Sequence, residues 1–353
     1  MSNNDNNVED RIREACHNLS REARELYLQS KVAEIDDSIT PLAFYREYVS
    51  KNVPLVIRGV IKHWPAVSKW SIPYFRKVIG DEKVSVAVTP NGYADAIAER
   101  DDDAKEFFVM PEDRLLTISA FLDTLENTKE NSVFYIQQQN SNFMHSFRKL
   151  WPDAETEISW ASEAFGKQPD AVNFWMGDER AVTSSKVLFY LVTEILEMHK
   201  DPYENIYCVV SGEKNFILHP PTDLPWIPYR TYPSAVYKEC EPGKWIIESI
   251  VNGTPNSEEI TNLASTPWIC VDPLNPNYEK FSHINENFTY RFPEYRNTHS
   301  LKVTLRAGDV LYLPSLWFHH VTQSHACISV NYWYDMEFDI KYAYFKALET
   351  LCK

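Results

Sequence analysis

The amino-acid sequence predicts a mainly β fold with flanking helices. Short runs rich in branched and aromatic residues, 303–305, 309–313, 317–321 and 328–333, follow one another between turn residues, the spacing of a barrel or a double-sheet jelly roll. Helical periodicity gathers instead near the N-terminus and at the C-terminal end. Only 9 Gly stand against 21 Pro and 20 Tyr, a balance that suits an ordered, strand-rich chain. With 353 residues, 44% of them hydrophobic, the chain can build one large domain or two small ones around a substantial core.

From the N-terminus, 8 to about 35 reads as a packing helix, because Ile12, Ala15, Cys16, Leu19, Ala23, Leu26 and Tyr27 recur at helical spacing. Thr40-Pro41 opens a second helix over 42–49, since Pro suits a first turn. A short apolar strand ends at Gly59. Helices follow over 73–79 and 119–125, and strands over 84–88 and 133–137. The stretch 140–166 reads as loop and helix, and 171–176 as strand. The strand at 205–210 is expected to return through Ser211-Gly212 as a hairpin with 216–218. The Pro- and Tyr-rich stretch 220–300 reads as an irregular insertion. The last segment, 340–351, carries a stripe of Ile340, Tyr344, Phe345, Leu348 and Leu351, and is either folded onto the barrel or a dimer seam. The expected division is a helical and strand region over 1–130, the barrel over 131–338 and a C-terminal helix over 339–353.

A net charge of −15 disfavours nucleic acid and anionic membrane as direct partners and suits a basic protein partner. No apolar run reaches the roughly 18 residues that span a bilayer. The six cysteines are scattered without a C-x-x-C pair, and the polar N-terminal segment reads as neither signal nor transit peptide. Cytosol and nucleus are the expected compartments.

The chemistry centres on His199-Lys200-Asp201, an H-x-D pair read as part of the same strand-like run as 205–210. On a strand, residues i and i+2 share a face, so an imidazole and a carboxylate stand side by side. These are two of the three ligands of a 2-His-1-carboxylate Fe(II) site, which leaves positions open for a co-substrate and O2. The third ligand must come from another strand. Trp317-Phe-His-His320 offers two adjacent histidines that alternate faces, and His319 is the choice. Lys214 can pair with a carboxylate of a small di-acid, and Tyr135 can donate to the same carboxylate. Asn205 and Asn331 sit among apolar strand residues and need partners, which a metal-bound ligand would provide. Together these residues point to an Fe(II)/2-oxoglutarate oxygenase, which hydroxylates a C–H bond with succinate and CO2 as co-products. Zinc is the rival metal, but the histidines lack H-E-x-x-H spacing.

Pro54-Leu-Val-Ile-Arg-Gly59, the H-x-D pair, Ser211-Gly-Glu-Lys214, Gly308-Asp-Val-Leu-Tyr-Leu-Pro314, Trp317-Phe-His-His320 and Asn331-Tyr-Trp-Tyr334 resemble the JmjC branch of the cupin oxygenases over nearly the whole chain. The resemblance implies a double-stranded β-helix, a homodimer built partly from C-terminal helices, and (3S)-hydroxylation of a lysine in translation-associated GTPases. It also implies a second activity, divalent-cation-dependent endopeptidase cleavage of histone tails near methylated arginine or lysine. By the same resemblance His199, Asp201 and His319 match the iron ligands, and Tyr135, Lys214 and Asn331 match the co-substrate shell.

The chain departs from the family pattern in two places. Pro202 removes a backbone donor beside a ligand, tolerable at an edge or bulge. In the family, a Thr-Ser pair runs almost directly into the H-x-D strand, and the Thr contacts 2-oxoglutarate. Here Thr183-Ser184 is separated from His199 by the apolar run 185–197. That run is either a genuine insertion, which must be buried and can displace Thr183 and His199, or intron sequence retained in the gene model. The second reading is preferred, because an exposed apolar run here invites aggregation. Three functions follow: lysyl hydroxylase; metal-dependent endopeptidase, with Glu204 or Asp335 as candidate base; and an inactive cupin that binds a partner if the insertion is genuine.

Overall fold

The computed structural model describes residues 2–36, 38–93, 95–127, 132–177, 198–251, 264–274, 276, 292–323 and 326–352, with side chains from residue 8 onward. Thr183 and the run 185–197 lie outside the described residues. In chain order, α1 (Ser2–Leu26) leads to β1 (Ala33–Ile35), α2 (Pro41–Phe44), β2 (Leu55–Ile57), α3 (Pro65–Lys69) and α4 (Ile72–Ile79). Next come β3 (Lys83–Thr89), β4 (Ala96–Arg100), β5 (Lys105–Met110), β6 (Glu112–Thr117) and α5 (Ile118–Glu126). The middle of the chain forms β7 (Val133–Ile136), α6 (Asn142–His145), α7 (Ser159–Phe165), β8 (Ala171–Gly177), β9 (His199–Lys200), β10 (Tyr203–Ser211) and β11 (Glu213–His219). Last are β12 (Tyr229–Glu241), β13 (Lys244–Ser249), β14 (Ser265–Ile269), β15 (Leu301–Arg306), β16 (Val310–Leu313), β17 (Phe318–Gln323), β18 (Cys327–Asp335) and α8 (Ile340–Leu351).

Two sheets make the barrel. The larger has the order β1-β2-β16-β10-β18-β8-β7-β3-β6, and the smaller has the order β15-β11-β17-β9. Their inner faces share one cluster, with Tyr207, Val209, Leu311 and Leu313 from the larger sheet against Phe216, Leu218, Val303 and Leu305 from the smaller. The outer face of the larger sheet, Ile206, Cys208, Val210, Tyr332 and Tyr334, packs on the aromatic residues of the N-terminal helical region, among them Phe44, Trp70, Phe75 and Phe147. The period-two alternation of strands sorts these sets: on β10 odd residues face the barrel interior and even residues face the helices. This arrangement is the double-stranded β-helix with flanking helices that the sequence predicts.

Five local expectations differ from the structure. The first helix stops at Leu26, and 33–35 pairs in parallel with β2, so Leu26 at the end of the apolar stripe is exposed. Thr40 does cap α2, accepting from the Ala43 amide at 3.3 Å, but 45–49 then widens into a π-helical turn. The H-x-D pair is not on the strand that contains Asn205: β9 belongs to the smaller sheet and β10 to the larger. Pro202 marks the break, where it cannot donate a ladder bond, and the carbonyls of Asp201 and Pro202 accept from the amides of Leu316 and Met336 at 2.9 and 3.1 Å.

The fourth difference is at Ser211-Gly212. No hairpin forms there, because β11 pairs with β15 and β17 while β10 pairs with β16 and β18. The turn carries the chain from one sheet to the other, with Gly212 at φ +79° against the backbone of Ala326. Fifth, the stretch 220–300 is not wholly irregular. It contains β12, β13 and β14, which join β4 and β5 in an accessory sheet. Pro233 inside β12 hides the strand from a propensity reading. In α8, Phe345 is buried with Leu348 packed nearby, while Ile340, Tyr344 and Leu351 are exposed, so one stripe serves two faces.

Candidate metal centre

His199 and His319 stand opposite each other in the β9–β17 ladder. The same register that pairs their backbones brings the rings to 4.2 Å between centroids. Asp201 follows two residues after His199, and its Oδ2 lies 3.6 Å from Nε2 of each ring. All three ligand atoms lie within 4.8 Å of one another. The Nδ1 of His319 is 3.1 Å from the carbonyl oxygen of Trp317. A carbonyl only accepts, so Nδ1 carries the proton and Nε2 keeps its lone pair for a metal. Burial and the neighbouring His199 push His319 down to about 4, so the ring is neutral, as a ligand must be. Burial alone would raise the Asp201 carboxyl, but His199, His319 and Lys200 together bring it to about 2, so it is ionised. Donor set, protonation state and spacing fit one divalent cation with open coordination positions.

His320, one residue on, is turned away from this group. It is 2% exposed, and neither ring nitrogen has a hydrogen-bond partner among the described residues. Alternation on β17 thus separates the two histidines that sequence parity alone left open.

The three ligands line a cavity of about 360 Å³, together with Tyr135, Asn205, Lys214 and Asn331. Lys214 is 2% exposed, and its Nζ donates to the Tyr135 hydroxyl at 2.9 Å. No carboxylate among the described residues pairs with it. A buried ammonium without a counter-charge is costly, and a dicarboxylate bound in the cavity would remove that cost. Asn331 donates to the Asn205 carboxamide oxygen at 3.1 Å and accepts from the Trp175 indole at 2.8 Å, so each amide holds the other against the wall. The expected co-substrate residues other than Thr183 therefore share one cavity with the metal ligands.

Sequence reasoning missed Tyr207, Trp175, Trp268, Trp333 and Asp95, which also line the cavity. Tyr207 was available by parity with Asn205, two residues earlier on β10. Trp333 follows Asn331 in the same way, and its buried indole N–H has no partner among the described residues. Trp268 and Asp95 come from the accessory sheet region, which no pattern in the sequence places near the metal. The two acids suggested as a hydrolytic base are elsewhere. Glu204 is held by Tyr312 and Ser315 at 2.7 and 2.9 Å behind the cavity, where burial raises its carboxyl. Asp335 lies exposed at the end of β18.

The comparisons with known proteins agree with this geometry. A cupin-like domain model matches residues 41–340. The chain is 46% identical to the human bifunctional peptidase and (3S)-lysyl hydroxylase JMJD7, over 97% of this chain and 96% of that protein. It is 40% identical to the lysine-specific demethylase JMJ32 of Arabidopsis thaliana, over 95% and 90%. It is 34% identical to the JmjC domain-containing protein E of Dictyostelium discoideum, over 95% and 92%. With fold, donor set and relatives in agreement, the chain belongs to the JmjC branch of the cupin-like oxygenases.

Proposed function

We propose that this chain is an Fe(II)- and 2-oxoglutarate-dependent protein (3S)-lysyl hydroxylase acting on a basic segment of a translation-associated GTPase. The observation that carries the oxygenase reading is the buried Lys214 ammonium in the same cavity as the His199–Asp201–His319 group, with Tyr135 as its hydrogen-bond partner. Fe(II) would be held by the three ligands, and with 2-oxoglutarate it supplies O2-dependent C–H hydroxylation. The far carboxylate of 2-oxoglutarate would lie on Lys214 and Tyr135. The Trp317 carbonyl fixes the His319 tautomer, while Trp175, Asn205 and Asn331 hold the wall rigid. Tyr207, Phe216 and Leu313 narrow the space left to water. The human relative's name supports lysine as the oxidised residue.

That name also supports a peptidase activity, for which the second reading is divalent-cation-dependent endopeptidase cleavage of histone tails near methylated arginine or lysine. Asp95 and the ligand Asp201 are the carboxylates among the residues lining the cavity. Incubation with Fe(II), 2-oxoglutarate and a lysine-containing GTPase peptide is expected to yield succinate and one added oxygen on that lysine. Peptide cleavage without 2-oxoglutarate, with no oxygen added, would replace the hydroxylase reading. Absence of metal uptake would favour the third reading, a partner-binding cupin. The same proposal takes the chain as a homodimer of cytosol and nucleus.

A further inference from the structure

The accessory sheet closes one side of the cavity and brings a carboxylate with it. Asp95 immediately precedes β4 and is partly exposed in the cavity that contains the metal ligands. Its carboxylate makes no hydrogen bond or ion pair with another described residue. Two residues on, Ile97 pairs with Phe108 across the β4–β5 ladder, and Phe108 lines the same cavity as Asp95. Phe108 meets Trp268 with ring centroids 4.6 Å apart, and Trp268 in turn lies over His199, 6.2 Å away and nearly parallel at 16°. The wall beside the ligands is therefore one anionic group with two aromatic rings.

This combination has a chemical preference. A carboxylate favours an ammonium, and aromatic faces add cation–π attraction while covering an aliphatic stem. The cations already present do not use it: Lys214 is held by Tyr135, and Lys200 is 3.5 Å from Glu349 and over the Phe345 ring of α8. Burial raises the Asp95 carboxyl, His199 draws it down, and Asp113 outside adds a second negative charge. Asp95 in the wall, with the charge of Asp113 acting on it, makes the cavity attractive to a cation in an already acidic chain.

We infer that Asp95, with Phe108 and Trp268, is the specificity element that receives the ammonium of the substrate lysine. This rests on the hydroxylase reading and deepens it. In a lysine the nitrogen lies four bonds beyond C3. An ammonium anchored by its charge at the wall leaves the stem carbons to cross the metal, whereas N-demethylation needs the nitrogen's own substituent there. The wall thus suits oxidation of the stem.

Asp95→Asn is the direct test. The residue has φ +58°, a region where Asp and Asn are both tolerated, so the change removes charge without straining the turn. The full chain is loaded with Mn(II) and 2-oxoglutarate to prevent turnover. Calorimetry then compares two end-blocked peptides, Gly-Gly-Lys-Gly-Gly and its norleucine counterpart. Wild type is expected to favour the lysine peptide by about tenfold. Asp95→Asn is expected to bind both alike, with norleucine affinity and the 2-oxoglutarate-dependent rise in Tm unchanged. A lysine preference that survives in Asp95→Asn overturns the assignment to Asp95 alone. A wild-type chain with no preference, or that binds neither peptide, overturns the lysyl reading with it. If the variant instead binds normally and loses peptide cleavage without 2-oxoglutarate, Asp95 is a proton carrier and the inference fails.

Discussion

Lys214 separates what stabilises this molecule from what makes it work. Its ammonium is buried with a hydroxyl as partner, so Lys214→Met, close in volume, is expected to fold at least as stably as wild type without ligand. Saturating 2-oxoglutarate at about 100 times its Kd should stabilise the metal-loaded wild type by about 2.7 kcal/mol and leave the variant unmoved. Thermal melts with and without the acid check both halves. The paired histidines set a pH dependence. Burial first, and His199 second, push both His319 and His320 down to about 4 from the usual 6.5. The unfolded chain takes up these protons as pH falls through 6.5, and the fold refuses them until about 4. Stability of the metal-free protein is therefore full above 6.5 and falls towards 4, by up to about 3 kcal/mol per ring. Asp201 contributes in the same direction only below 3.8, since its depressed carboxyl stays ionised to about 2. Urea midpoints at pH 7.5 and 5 report the loss, and His320→Leu, which touches no ligand atom, should remove about half of it.

At the scale of elements, the crossing at Ser211-Gly212 is the most demanding turn. A methyl at Gly212 would sit 2.2 Å from the Ala326 carbonyl oxygen at a φ of +79°. Gly212→Ala is expected to cost at least about 3 kcal/mol, read as a lowered urea midpoint. This turn also shows where sequence reading reaches its end. Which residues form strands follows from alternation, so Asn205 and Asn331 can be placed within strands by residue pattern alone, while the pattern leaves open which of His319 and His320 faces the barrel interior. Which sheet a strand joins is decided by long-range pairing that alternation does not encode. The Ser-Gly pair reads equally as a hairpin or a crossing. The H-x-D ligands were legible because chemistry demands them together, although they sit on a different strand from the one expected. Asp95 and Trp268 were not, because their place depends on β12 and β14 folding back over the barrel mouth. Thr183 lies outside the described residues.

For the whole molecule, the exposed face of α8 is the feature that monomer packing leaves unused. Ile340, Tyr344 and Leu351 are 61%, 71% and 59% exposed, and nearby Phe338 is 63% exposed. The proposed homodimer would cover them, and sedimentation is expected to give twice the chain mass, with Tyr344→Glu returning it to one. The last consequence comes from β9. This strand has two residues, lies at the edge of the smaller sheet and pairs with β17, yet it holds one ligand and immediately precedes another. A bound cation would therefore act as a rivet, tying a frail margin to the strand that carries His319. Stripping it with a chelator should speed deuterium uptake at the Lys200 amide far more than at β10, so occupancy would be written into the molecule's breathing as well as its catalysis.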